Sequence, residues 1–176
     1  MKKILEKLFE HETLSYHQAK SILLEISAKK YNEALISSFL TVYKMRTPNV
    51  NEIEGFRDAL LELCVKVDFS DLNTIDLCGT GGDGKNTFNI STISSFIVAG
   101  AEFSVTKHGN YGVSSGCGSS NVLENLGVKF SNDINHLRKC IEEANITFLH
   151  APLFHPAMKN VAPVRKNLGF KTFFNI

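Results

Sequence analysis

Residues 76–92 read DLCGTGGDGKNTFNIST, and the fold around them turns on what this run is. The apolar lead-in "TIDLC" has the composition of a buried strand, and "STISSFIVAGA" beyond it has that of a helix. Between them, Gly79 to Gly84 hold four glycines in six positions. Strand, glycine loop and helix together make an α/β unit whose loop amides and helix N-terminus suit an anion. Two phosphate-loop patterns compete for the run. Gly79, Gly81 and Gly84 satisfy the dinucleotide spacing; Gly79, Gly84 and Lys85 satisfy the P-loop spacing until Asn86 stands where Ser or Thr is required.

Both patterns fail on further inspection. A dinucleotide site needs an acidic residue at the far end of the second strand, but Glu102 precedes "FSVTK" and Lys107 closes it. A P-loop needs a hydroxyl for magnesium at position 86, and Thr87 comes one residue late. A third reading uses more of the residues. Asp83 would repel a bare pyrophosphate, so it implies a hydroxyl donor or a bridging cation. The hydroxyls of Thr87, Ser91 and Thr92 and the amide of Asn89 crowd the helix start, where capping needs only one of them. A substrate with phosphate at two places and sugar hydroxyls between them would use the whole set. The plain alternative is a tight structural turn, which seldom needs so many glycines.

Outward from this run, the chain changes grammar near Phe69. After it, "FSVTK" reads as a second strand, "GSSNVLENLG" as a helix closed by Gly127, and "DINHLRKCIEEAN" as another helix. "ITFLH" follows as a third strand, then "HPAMKNVAPVRKNLG" as a helix ended by Gly169, and "KTFFNI" as a strand that starts and stops. This alternation predicts a parallel-sheet α/β domain over residues 71–176, incomplete in this chain, as the front part of a longer protein. Residues 1–70 predict a small helical bundle instead. "MKKILEKLFEHE" reads as an amphipathic helix, because Glu6, Glu10 and Glu12 interrupt any signal-like apolar region. Ser15 and Gln18 form a capping box for a helix to about Ala28. Leu35, Phe39, Val42 and Tyr43 mark a second series before Pro48. Ile53, Phe56, Leu60, Cys64 and Val67 mark a third, with Glu54, Arg57 and Glu62 largely between them. For Ile4, Leu8 and Phe9, ordinary core packing is the favoured role of any single one, and those left exposed would offer a subunit contact. The helix near residues 155–168 is expected to pack against the helical domain.

The bulk numbers narrow the partners. A net charge of +1 in 176 residues gives no field for nucleic acid or an anionic membrane, so anion selectivity must be local. Cys64, Cys78, Cys117 and Cys140 form no C-x-x-C pair and read as reduced, mostly buried thiols of a cytoplasmic protein. No window approaches membrane-spanning length.

Three blocks carry a resemblance: GTGGDGKNTFNIST (79–92), KHGNYGVSSGCGSSNVLENLGV (107–128) and HPAMKNVAPVRKNLGFKTFFNI (155–176). In order and spacing, and with the helical region before them, they resemble the anthranilate phosphoribosyltransferase family over essentially the whole chain. The resemblance implies a helical domain, through which the family forms homodimers, joined to an α/β domain. It implies transfer of phosphoribose from magnesium-bound phosphoribosyl pyrophosphate to anthranilate, with release of pyrophosphate, in tryptophan biosynthesis. By resemblance, Gly79, Gly82, Asp83, Thr87, Asn89, Ile90, Ser91 and Thr92 hold phosphoribosyl pyrophosphate, and Ser91 helps bind one magnesium. Lys107, His108, Gly109, Asn110, Tyr111, Gly112, Val113, Ser114, Ser115 and Ser119 complete that site. Gly79, His108, Asn110, His155 and Arg165 correspond to positions near anthranilate, where the planar fork of Arg165 suits a carboxylate. No covalent nucleophile or general base is implied.

Read singly, several of these residues have plainer uses. A strand-end lysine such as Lys107 is usually solvated, an exposed helical arginine makes surface pairs, His155 before Pro156 starts a helix, and His108 suits an ordinary loop. The family's second magnesium is held by an Asp-Glu pair downstream of this chain, so two ions are expected in the complete enzyme. The chain alone is expected to be inactive or weakly active. Three positions depart from the family: Tyr111 replaces the usual Arg, and Ser120 and Asn121 replace Ala and Asp. Two rival readings remain: an enzyme like pyrimidine nucleoside phosphorylase, and a non-catalytic dimerisation module with a vestigial anion site.

Overall fold

The structure is a computed structural model and describes residues 1–79, 87–112 and 116–175. The chain divides into two compact units, one of Met1–Cys64 with His155–Ile176 and the other of Val65–Phe154.

The first unit is helical. Helices α1 (Lys2–Phe9), α2 (Tyr16–Ser27), α3 (Glu33–Met45) and α4 (Val50–Leu63) follow in order. Their starts are written locally. Ser15 forms a reciprocal capping box with Gln18, Asn32 accepts from the Leu35 amide, and Asn49 forms a second box with Glu52. The apolar stripes of the four helices meet in one core built on Leu5, Leu8, Ile22, Ile26, Phe39, Leu40 and Phe56. Leu8 takes the favoured core role, Phe9 is exposed and Ile4 half-buried, because the α1 face carrying Leu5 and Leu8 meets the core. The third apolar series also ends early. The α4 helix stops at Leu63, and Val67 lies beyond it in the other unit's core.

The C-terminal segment completes this core. Its sequence predicts one long helix, but it forms a 3-10 turn (Pro156–Asn160) and then helix α9 (Ala162–Leu168). Pro163, in the first turn of α9, has no N–H with which to continue the preceding turn. Gly169 closes α9 at φ 68°, as its position suggests. "KTFFNI" is no strand: Phe173–Asn175 form a 3-10 turn. The Phe173 ring stacks on Phe56 with centroids 4.5 Å apart and meets Phe39 and Tyr43 edge-on. Ring burial, not ladder pairing, fixes this segment.

In the second unit, β1 (Val105–Gly109) and β2 (Ile146–His150) pair in parallel, with Val105 opposite Ile146 and Gly109 opposite His150. Around them lie α5 (Ile90–Gly100), α6 (Ser119–Asn125), α7 (Ile134–Ala144) and α8 (Ala151–Phe154), with a 3-10 turn at Ser70–Leu72. Strand β2 coincides with "ITFLH", and the left-handed Asn145 ends α7 just before it. The "FSVTK" strand begins two residues later than its sequence predicts, after a left-handed Glu102. "TIDLC" does not form a strand. Ile75 makes one parallel bridge to Val105 and is 46% exposed. Side chains take over the groups that a longer ladder would use: the His108 amide donates to Asp76 Oδ1, and the Leu77 carbonyl accepts from Lys107 Nζ. A small core of Phe69, Leu137, Ile141 and Phe154 packs this unit. All four cysteines are free thiols, but Cys78 and Cys117 are exposed and Cys64 and Cys140 half-buried, contrary to the mostly buried expectation. Cys78 and Cys117 lie on connecting segments, which run at the surface.

Candidate functional site

The start of α5 and the segment entering the glycine run are in contact. A Cβ added at Gly79 would lie 3.2 Å from Ser91 Oγ, so the backbone there passes flush against the hydroxyl. Asn89 Oδ1 accepts from the Thr92 amide at 3.3 Å, which caps α5, and from Ser91 Oγ at 3.4 Å. Thr92 is 2% exposed, and its Oγ1 has no hydrogen-bond partner among the described residues. Thr87 and the Ile90 side chain are exposed, and the Ile90 amide donates to the Phe88 carbonyl. Gly82 and Asp83 lie outside the described residues, as do Val113, Ser114 and Ser115.

Lys107 is not the solvated strand-end lysine that its position alone suggests. It is 1% exposed, and its ammonium donates to the carbonyls of His108 at 3.0 Å and Leu77 at 3.4 Å. Placing an ammonium here costs desolvation, which those carbonyl dipoles offset in part. It is the central residue of β1, two residues before the carboxyl end at which open α/β sheets place ligands. The Asp76 carboxylate holds the neighbouring His108 amide at 3.1 Å.

Beyond β1, residues 109–112 lie against the first turn of α6. A Cβ at Gly109 would sit 2.6 Å from Ser119 Oγ, and one at Gly118 would sit 2.3 Å from the Gly112 nitrogen. The Asn110 amide donates to Ser119 Oγ at 3.3 Å, and the Gly112 amide to Asn121 Oδ1 at 3.1 Å. Ser120 is buried and shares a 2.8 Å hydrogen bond with His150 Nδ1 at the end of β2. Burial holds the His150 imidazole below its ordinary pKa, against a weaker upward pull from Glu124.

The structure thus brings Gly79, Asn89, Ser91 and Thr92 together, and separately Asn110, Gly112 and Ser119, with Lys107 and His108 tied to the 76–77 segment. His155 and Arg165 belong to the other compact unit. There, His155 precedes a 3-10 turn with Pro156 at its start, and the Arg165 guanidinium lies 5.4 Å from the Phe174 ring centroid. Arg165 is half-buried rather than an exposed surface arginine, and desolvation lowers its pKa. Asp76 and His150 are functional candidates that the sequence motifs do not include. His150 ends the apolar run "ITFLH" just before α8, which is the one signal that points to it, whereas Asp76 sits inside "TIDLC", three residues before Gly79, with no local signal.

Magnesium fits the donors at α5. Ser91 Oγ, Asn89 Oδ1 and the orphaned Thr92 Oγ1 are hard oxygens, and a phosphate-bound magnesium needs few ligands from protein. Among the described residues, no group of three His, Cys, Asp or Glu side chains could hold a metal ion.

Comparison with known proteins agrees with this architecture. Residues 2–64 match the helical bundle domain of the glycosyl transferase family, and residues 71–176 match that family's a/b domain. Anthranilate phosphoribosyltransferase of Flavobacterium psychrophilum is 66% identical over all 176 residues, which cover 53% of its own length. The crystal structure of anthranilate phosphoribosyltransferase from Thermus thermophilus has 34% identity and a TM-score of 0.85, covering 97% of this chain and 52% of that one. The Saccharomyces cerevisiae enzyme in complex with PRPP and Mg has 30% identity and a TM-score of 0.87, with 98% and 52% covered. The chain spans about half the length of the curated relatives it matches. With the helical bundle, the glycine-flanked helix start and the parallel strands all in the matched order, the chain belongs to the glycosyl transferase family.

Proposed function

We propose that this chain carries the phosphoribosyl pyrophosphate site of an anthranilate phosphoribosyltransferase of tryptophan biosynthesis, with a helical domain (1–70) that forms the homodimer contact and an α/β domain (71–176). The observation that carries the reading is the contact of the Gly79 backbone with Ser91 Oγ at the capped start of α5. A pyrophosphate held there meets main-chain amides, hydroxyls and a helix N-terminus. Relatives named for this activity support the choice of substrates, and four free thiols suit a cytoplasmic setting.

In the reaction, the uncharged amine of anthranilate forms a bond to the anomeric carbon as the bond from that carbon to pyrophosphate breaks. The electron pair of the breaking bond leaves with pyrophosphate, and the amine loses its proton afterwards. Bound magnesium would supply positive charge to the departing phosphate oxygens. Asn89, Ser91 and Thr92, with Gly79, orient the diphosphate; Lys107 adds a fixed cation from the middle of β1; Asn110 and Ser119 hold the loop beside the ribose. By resemblance, the positions matched to anthranilate are Gly79, His108 and Asn110 in the α/β unit and His155 and Arg165 in the helical unit, and a planar guanidinium such as that of Arg165 suits the carboxylate. Alignment and charge neutralisation then supply the rate enhancement, each several kcal/mol in favourable cases.

Calorimetric titration of the chain with phosphoribosyl pyrophosphate and magnesium chloride tests this. Binding should require magnesium. Ser91→Ala should weaken it roughly tenfold, the scale of one charge-assisted hydrogen bond, and Gly79→Val should weaken it further by filling the gap to the hydroxyl. Absence of wild-type binding, or equal binding with and without magnesium in all three proteins, overturns the reading.

A further inference from the structure

Two of the three positions that depart from the family pattern, Tyr111 and Ser120, meet one histidine, and the third, Asn121, holds the loop backbone beside them. His150 is 6% exposed and is held by β2, opposite Gly109 in the ladder. Its ring stacks on Phe130, with centroids 4.3 Å apart and planes 9° from parallel, and Tyr111 meets it edge-on at 4.9 Å. Its Nδ1 shares the 2.8 Å hydrogen bond with Ser120 Oγ. The Tyr111 hydroxyl donates to Glu124 Oε1 at 2.7 Å, which returns the contact to α6. The loop backbone is fastened to the same turn. The Ser120 amide donates to the Asn110 carbonyl at 3.1 Å, and Asn121 Oδ1 accepts from both the Gly112 and Gly118 amides.

This arrangement is a closed circuit: β2 fixes His150, His150 fixes Ser120, the α6 turn fixes residues 110–112, and Tyr111 closes back onto His150. Tyr111 brings no cation to the loop; it brings a ring and a hydroxyl that anchor it. Ser120 offers the hydroxyl that an alanine would lack. We propose that His150 is a positioning residue that sets the conformation of the 110–112 loop through Ser120 and Tyr111, and so sets affinity for phosphoribosyl pyrophosphate. The affinity clause rests on the function proposed above. A histidine that merely fills the core would be replaced by any ring of similar size, whereas a positioning histidine needs its Nδ1.

Two readouts on the full chain separate these roles: amide hydrogen exchange without ligand, and titration with phosphoribosyl pyrophosphate in magnesium chloride. The proteins are wild type, Ser120→Ala, His150→Phe, which keeps an aromatic ring, and His150→Asn, which keeps a polar atom near the Nδ1 position. Exchange at Asn110, Tyr111 and Gly112 should quicken roughly tenfold in Ser120→Ala and His150→Phe, the scale of one lost hydrogen bond. The β1 amides of Val105 to Lys107 should be unaffected, which excludes general unfolding. Dissociation constants should rise by a similar factor, and His150→Asn, which keeps a polar atom for Ser120 but loses the ring against Tyr111, should be less impaired than His150→Phe in both readouts. Unchanged exchange at 110–112, equal damage from His150→Asn and His150→Phe, or faster exchange with unaltered affinity overturns the inference. If wild type itself does not bind, the proposed function falls, and the loop role of His150 is decided by the exchange rates alone.

Discussion

Glu52 is a carboxylate with no exposed surface, and donors from several segments converge on it. Oε1 accepts from the Leu14 amide at 2.9 Å and from the Tyr43 hydroxyl at 2.8 Å; Oε2 accepts from the Asn49 amide and, at 3.0 Å, from Arg46. Burial alone would raise its pKa, but the Arg46 guanidinium, the two amides and the Tyr43 hydroxyl outweigh it and hold the carboxyl below its ordinary 4.5. The unfolded chain then binds a proton more readily than the folded one. The stability Glu52 contributes is full above about pH 4.5 and falls as acid titrates the folded carboxylate. Urea melts from pH 7 to pH 3 should show this acid loss in wild type and a flatter profile in Glu52→Gln. Glu52→Ala leaves the half-buried Arg46 and the Leu14 and Asn49 amides without their carboxylate and should cost about 3 kcal/mol at pH 7, read by the same melts. None of this is legible in the local sequence, where Glu52 looks like one more capping-box glutamate. Its burial comes from Leu14 and Tyr43, which lie far along the chain.

Helices α2 and α4 touch closely at Gly55. A Cβ there would lie 2.5 Å from the Tyr16 carbonyl oxygen and 2.9 Å from the Lys20 nitrogen, both main-chain atoms that cannot rotate away. Tyr16 to Asp58 at 2.9 Å and Lys20 to Glu62 at 2.8 Å bridge the same pair of helices. Alanine in a free helix gains about 1 kcal/mol over glycine. Overpacking a fixed contact costs about 1–3 kcal/mol, so Gly55→Ala should lower stability, measured by thermal melts. A higher melting temperature would show that the helices separate without cost. Elements such as α2, α4 and β2 are legible because caps, stripes and apolar runs are local signals. "TIDLC" and "KTFFNI" mislead because a strand exists only through its partner. In the first, Asp76 and Lys107 side chains displace the ladder; in the second, an aromatic cluster claims Phe173. In the candidate site, the hydroxyls at α5 can be read from their crowding, but the burial of Lys107 and the place of His150 depend on the parallel register of β1 and β2.

Among the described residues, the helical unit holds both the earliest and the latest parts of the chain, with Val65–Phe154 inserted between them. Phe173 is 8% exposed within the rings of Phe39, Tyr43 and Phe56, and the Asn160 side chain donates to the Ser27 carbonyl at 2.7 Å. Phe173→Ala should therefore cost about 3–5 kcal/mol. Exchange protection should fall first at Phe39 and Phe56 amides, not in β1 or β2; an equal fall in both units would refute this assignment. The interleaved connectivity also bears on synthesis. As the polypeptide leaves the ribosome, residues 65–154 of the α/β unit emerge before Phe173 can join the helical unit. Until residue 173 emerges, the nascent N-terminal helices present an uncovered aromatic face. That interval, rather than the finished molecule, is where chaperone binding and self-association compete for the chain.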